Sequence, residues 1–349
     1  VLTLTFVSSA IKPASGQIQT WSKYLGTGGP VLTPGAGPVW DSFEASYGKV
    51  FVDGGTYRLY YSGRSSGGSY SIGYAYSVNR VTFTKHAGNP ILTAGSGGAW
   101  DGIDVLCPSV LRAKNGSYLM WYQGLNYLGS LRIGAARSSS PEGPWTKAAS
   151  PVLNPGPSSW DGYHVCNPTV LWDERAKIYR MWYTGVDLAN RAQIGYATSI
   201  DGRNWEKYYL NPVLTPGVGA WDNDVCFPTV LKIGGVFWMW YEGLSVSMVY
   251  GIGCAYSLDG IFWTKWSANP LLTSGSGSSW DNGAVGSPAV FTWGPSDLIF
   301  GGARWLGMYY WGTPSGSFQG SIGHATTLFG VASLPVFTDS SPWQVYFIN

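Results

Sequence analysis

The chain has 349 residues, a net charge of +2 and only 11% charged residues, against about 25% in an ordinary soluble domain. So little charge, with no long basic run, excludes an electrostatic partner such as nucleic acid or an anionic membrane surface. No stretch reaches the ~20 consecutive apolar residues of a membrane-spanning helix.

The first ten residues, VLTLTFVSSA, are apolar with a small-residue end. They read either as the tail of a signal peptide or as a first β-strand. Together with an even number of cysteines they point to a secreted or cell-surface protein. The segment TWSKYLGTGGPVLTPG begins at residue 20 and is followed by a Trp-Asp pair at 40–41. That pair recurs at 100–101, 160–161, 221–222 and 280–281, in steps of 60, 60, 61 and 59 residues. Each later copy is preceded by a run such as NPILTAGSGGAWD, SPVLNPGPSSWD or NPVLTPGVGAWD. Each is followed by CPSVL, NPTVL, FPTVL or SPAVF, then by runs such as YRMWYTG and QIGYATS. Repeats of this period mark arrays of supersecondary units.

Within one unit, four short β-like runs are bounded by Gly, Pro, Asn and Asp. In the third unit they cover about 168–173, 177–185, 191–199 and 204–214. Four antiparallel strands repeated around an axis predict an all-β fold, a five-bladed β-propeller forming a single domain over 1–349. The last unit lacks its own fourth strand after SIGHATT, and residues 20–34 match that strand elsewhere. The N-terminal strand is therefore expected to complete blade five and close the ring. LPVFTDSSPW near the C-terminus carries a similar pattern and could share the seam.

What recurs in every unit reads as scaffold. Asp41, Asp101, Asp161, Asp222 and Asp281 are expected to accept local backbone hydrogen bonds, and their tryptophans to pack between blades. The S-x-D-G-x-x-W runs around Asp201 and Asp259 read as hairpin turns. None of Cys107, Cys166, Cys226 and Cys254 forms a CxxC pair, so no structural zinc site is expected. A Cys166–Cys226 disulfide between neighbouring blades is left open by the sequence.

What varies reads as site. Four residues before the start of each inner strand's Pro or Gly48 stand Glu44, Asp104, His164, Asp224 and Ala284. Inner strands line a propeller's axis, so these residues are expected at one mouth of the channel. Crowded carboxyls raise one another's pKa, which favours one protonated acid beside one ionised base. Glu242, Gln123 and Trp311 end second strands at the same mouth, where Arg64 begins a loop. Asn126, Tyr127, Asp187, Asn190 and Arg191 lie on neighbouring loops. Glu44, Asp104, His164 and Asp224 would also suit a divalent cation such as calcium or manganese in the axial channel. No cofactor is required by the sequence.

The pattern PTVL…YRMWYTG…IGYATSIDGRNWEK…NPVLTPG resembles the five-bladed propeller glycosidases, glycoside hydrolase families 43, 32, 68 and 130, from about Trp21 to Thr327. The resemblance implies catalytic carboxylates at inner-strand starts: an aspartate base or nucleophile, a glutamate acid and a second aspartate tuning the acid. The nearest matches are Glu44, Asp104 and Asp224. The families place an acid one or two residues before the strand's proline, whereas this chain has Tyr47, Cys107, Asn167, Phe227 and Ser287 immediately before it and no acid two before it. The implied function is a secreted glycoside hydrolase, or a related phosphorylase, acting on a plant- or microbial-type polysaccharide or oligosaccharide. His164, Glu242, Gln123, Tyr47, Asn167, Phe227, Trp311 and Arg64 would contact the substrate. The alternative is a non-catalytic, lectin-like or structural propeller, which would instead repeat one binding constellation between blades.

Overall fold

The computed structural model describes residues 21–24, 29–157, 160–217, 221–293, 303–317 and 319–330. Five sheets of antiparallel strands are formed, one per repeat. The inner strands are Glu44–Asp53, Asp104–Arg112, His164–Asp173, Asp224–Ile233 and Ala284–Trp293. Each pairs with a second strand, and that with a third, by antiparallel ladders. The fourth strands are short, for example Glu206–Lys207 in blade three, and are extended by a bridge such as Ile194 to Leu214. Ser22–Lys23 pairs with Thr326 and Ala325 of the last third strand, so the N-terminal strand closes the ring as expected. The first ten residues and LPVFTDSSPW lie outside the described residues.

The Trp-Asp pair is the joint of every blade, its aspartate buried and its tryptophan half-buried. Asp41, Asp101, Asp161, Asp222 and Asp281 each accept a lysine Nζ–H, from Lys85, Lys147, Lys207, Lys265 and Lys23, at 2.5–2.7 Å. Each also accepts a tyrosine hydroxyl, from Tyr61, Tyr122, Tyr183, Tyr241 and Tyr310, at 2.9–3.1 Å. Their carboxylates therefore hold a cation and a phenol of their own blade, two partners that the expected turn role did not include. The tryptophans likewise pack inside their own blade. Trp160 lies 5.8 Å from Tyr183, over two glycines, Gly185 and Gly195, whose missing side chains make room for its ring. Asn89, Asn211 and Asn269 tie the chain leading away from the fourth strand to the third, each carboxamide bonding both backbone groups of one residue there, as Asn211 does with Tyr196 at 2.8 and 2.9 Å.

Between blades, large aromatics fill the core. Trp121 and Trp182 each donate an indole N–H to a glycine carbonyl in the next blade's S-x-D-G turn, Gly202 at 2.9 Å and Gly260 at 2.8 Å. Asp201 and Asp259 hold those turns by accepting two backbone amides each, as read from the sequence. All four cysteines are free thiols, so the Cys166–Cys226 bridge is not formed.

Candidate functional site

Every inner strand carries the same irregularity. The pairing slips between residues 46 and 49, 106 and 109, 166 and 169, 226 and 229, and 286 and 289. The residue at each bulge has a left-handed backbone: Tyr47, Cys107, Asn167, Phe227 and Ser287, with φ of 47–52°. Such a conformation is costly for a side-chain-bearing residue and persists only where surroundings hold it. Here the clasp comes from the preceding blade. The amides of Cys107, Asn167, Phe227 and Ser287 donate to Ser62 Oγ (3.0 Å), Gln123 Oε1 (3.1 Å), Thr184 Oγ1 (3.1 Å) and Glu242 Oε2 (2.8 Å). The fifth position of that series is Trp311, which offers no acceptor and stacks on Tyr47 at 6.1 Å instead.

The residues four before the proline form a second repeated clasp. Asp104 Oδ1 accepts the amide of Tyr70 (2.7 Å), His164 Nδ1 that of Leu131 (3.2 Å), and Asp224 Oδ1 that of Ala192 (2.7 Å). Each thus ties its inner strand to the third strand of the blade before. Burial pushes Asp104 up and His164 down from their ordinary values. His164 also stacks on Tyr163 at 3.8 Å. Among the described residues no three His, Cys, Asp or Glu side chains lie close enough to hold a metal ion. The expected cation site of Glu44, Asp104, His164 and Asp224 is therefore not assembled, because these side chains are directed to separate blade joints.

Glu44 breaks the pattern. Its side chain, on a residue 3% exposed, accepts from Arg64 Nε–H at 3.1 Å and from the Tyr70 hydroxyl at 2.5 Å. Arg64 in turn lies 4.7 Å from the Tyr70 ring centroid. Glu242, 5% exposed, accepts the Ser287 amide and lies 3.6 Å from Cys226 Sγ; burial pushes its carboxyl up to about 7. Tyr47 stands between the two glutamates and feels both of them, and burial raises its hydroxyl well above the usual phenol range. Its ring stacks on Phe227 at 5.3 Å, so Tyr47, Phe227 and Trp311 form a continuous aromatic slab at the mouth. Three buried polar atoms near this slab have no partner: Ser46 Oγ, Ser287 Oγ and Trp311 Nε1. They are three of the thirteen unpartnered buried polar atoms among the described residues, and the three that border the slab.

Other predicted contacts are consumed locally. Asn167 Nδ2 donates to Gln123 Oε1 at 2.9 Å and to Cys107 Sγ at 3.4 Å. Asn126 and Asp187 hold their own loop backbones, and Arg191 is ion-paired with Asp187 at 2.7 Å. The residue that sequence reasoning missed is Lys49. It is buried on the axis one turn of the strand deeper, where the other blades place Ser109, Thr169, Thr229 and Ala289. Its ammonium donates to the carbonyls of Pro228 and Pro288, each at 3.0 Å, and to Thr229 Oγ1. Burial lowers it from 10.5 to about 7. A lone cation among small neutral equivalents was the signal.

No family model matches the chain. Uncharacterized proteins of two Mycobacterium tuberculosis strains are 28% identical over 257 residues, covering 69% of this chain and 81% of theirs. Among solved structures, a thermostable family-43 glycoside hydrolase superposes with a TM-score of 0.60 at 21% identity, over 85% of this chain and 91% of its own. A member of the GH130 family, described as containing mannoside phosphorylases and glycoside hydrolases that target β-1,2 mannosidic linkages in Candida mannan, gives 0.66 at 18% identity, over 89% and 94%. An N-acetylgalactosamine deacetylase from F. plautii, in complex with blood group B trisaccharide, gives 0.69 at 14% identity, over 88% and 95%. The sheet order, the ring closure and these superpositions together establish that the chain has the five-bladed propeller fold that the family 43 and 130 glycosidases also have.

Proposed function

We propose that the protein acts on carbohydrate at the mouth framed by the inner-strand starts, as a secreted or cell-surface glycoside hydrolase. The observation that carries this reading is the pair of buried glutamates flanking Tyr47. Glu44 is held by the Arg64 guanidinium, while Glu242 is pushed up to about 7. Glycosidic cleavage asks for one carboxyl that keeps its proton near neutral pH and a second that is a carboxylate. Glu242 suits the first role and Glu44 the second. Asp104, whose amide partner Tyr70 also donates to Glu44, is placed to tune that carboxylate; Asp224 would reach substrate only through the oxygen that its amide partner leaves free. The Tyr47–Phe227–Trp311 slab offers the apolar surface on which the C–H face of a sugar ring packs. The unpaired Ser46, Ser287 and Trp311 polar atoms would find partners in sugar hydroxyls.

One observation favours a second reading, a propeller that binds sugar without turnover. Glu242 occupies the position at which Ser62, Gln123 and Thr184 merely clasp a bulge. The test is a panel of defined oligosaccharides, scored for reducing-end release and for binding, with wild type, Glu242→Gln and Glu44→Gln. The hydrolase reading expects turnover by wild type, lowered at least ~100-fold in both variants with binding retained. Binding without turnover by all three proteins would overturn it in favour of the second reading.

A further inference from the structure

We propose that a cavity between blades two and three, on the side of the propeller opposite the mouth, binds a small aromatic carboxylate. The five repeats act as internal controls for one another. At the third-strand position after Ile-Gly, the blades carry Tyr74, Ala135, Tyr196, Cys254 and His324. After the lysine of the fourth strand they carry His86, Ala148, Tyr208, Trp266 and Tyr24. On the second strand, the residue facing this pair is Arg58 in blade one and Arg180 in blade three, donating at 2.7 Å to the hydroxyls of Tyr74 and Tyr196. In blade two it is Leu119.

Blade two is thus the one blade in which the second-strand guanidinium, the third-strand ring and the fourth-strand ring are all replaced by smaller apolar groups. The result is a cavity of about 310 Å³ lined by Leu119, Trp121, Ala135, Ala148 and Val152. That is the lower end of the range for small-ligand sites. Elsewhere the same space is filled by the protein's own rings, as by Tyr74 and His86 at 6.1 Å or Tyr196 and Tyr208 at 6.4 Å.

The rim sets the charge. Arg137 and Arg203 both line the cavity and are exposed, and neither guanidinium has a partner among the described residues. Lys147 is committed to Asp101 at 2.7 Å. The lining's carboxylate, Asp201, is taken up by the amides of Arg203 and Asn204 at 2.8 Å and by Asn204 Nδ2 at 2.7 Å. Two free guanidiniums above an apolar pocket match a planar ring that bears a carboxylate, since guanidinium and carboxylate pair in a two-pronged geometry.

The test uses 4-hydroxyphenylacetate as the probe, with p-cresol and acetate as its neutral and non-aromatic halves, by isothermal titration and ligand-observed NMR on the full chain. Saturable one-site binding of the aromatic acid is expected, at least ten-fold tighter than either half. Ala135→Tyr, which restores the ring of blades one and three, should abolish it. Because a tyrosine there could unsettle the blade, the surface pair Arg137→Gln and Arg203→Gln decides independently: it should weaken the acid at least ten-fold and leave p-cresol unchanged. No saturable binding, p-cresol binding as tightly as the acid, or acid binding undiminished in the arginine pair would each overturn the proposal. The mouth plays no part in this assay, so the outcome is separate from that of the hydrolase test.

Discussion

Replacing Glu242 by glutamine should make the protein more stable, and increasingly so as pH rises. The carboxyl has its ordinary value of 4.5 in the unfolded chain and about 7 in the fold, where burial disfavours the charged form. At 1.36 kcal/mol per pH unit, that displacement costs the native state about 3 kcal/mol once the group is ionised in both states. Below pH 4.5 both states hold the proton and the cost vanishes. Between 4.5 and 7 the folded chain binds more protons than the unfolded one, so wild-type stability falls as pH rises, and above 7 the loss is complete. Glutamine avoids the ionisation and keeps an oxygen for the Ser287 amide, as Gln123 does for Asn167 in blade two. Urea unfolding of wild type and Glu242→Gln from pH 4 to 8.5 should therefore give curves that nearly meet at pH 4 and separate by up to about 3 kcal/mol by pH 8. Lys49 titrates in the same range, but it does so in both proteins and drops out of the difference. A separation that does not change with pH would refute the claim that this carboxyl is desolvated, and with it the assignment of Glu242 as a proton donor.

Lys49→Met should remove a pH dependence of opposite sign: with Lys49 lowered from 10.5 to about 7, wild-type stability rises between pH 7 and 10.5, and denaturant titrations of the variant should lack that rise. The two scaffold and site aspartates of blade two should separate cleanly in melts. Asp101→Asn leaves the part-buried Lys147 without its anion and should cost about 3 kcal/mol, whereas Asp104→Asn keeps an oxygen for Tyr70 and should stay within about 1 kcal/mol. Gly185→Ala places a methyl against the Trp160 ring and should destabilise by about 1–3 kcal/mol in chemical denaturation.

The architecture was legible because each blade repeats the same obligations. A Trp needs two glycines beneath it, an Asp needs a lysine and a tyrosine, and those partners recur at fixed offsets, the fifth lysine being Lys23. Aligning the repeats on their proline also found the mouth. What the alignment could not show was direction. Asp104, His164 and Asp224 look like a converging ring on paper, yet each is turned to a neighbouring blade's amide, a use that depends on how strands stagger between sheets. The bulge is equally invisible, because nothing in Tyr, Cys, Asn, Phe or Ser marks a left-handed residue. For Glu242 the sequence supports a place at the mouth and a contact with substrate, not a shifted carboxyl. Its raised pKa comes from burial between blades, against the opposing pull of the Ser287 amide and the Cys226 thiol, and that burial depends on how separate sheets pack. The alanines of blade two stand plainly in the sequence, but the space they leave depends on the rings that fill it in other blades.

The ion pair between Lys23 and Asp281 spans 258 residues and joins the first of the described strands to the fifth blade. During synthesis the other four blades can assemble as they emerge, since each holds its own lysine and aspartate within about fifty residues of sequence. The early strand has no such local mate. It must wait, unpaired, until the last third strand leaves the ribosome. Its two-residue length and its lysine make it a poor template for stray strands in the meantime. Ring closure is therefore the final and longest-range step of folding, and a chain stalled before residue 325 would present four finished blades with an open seam.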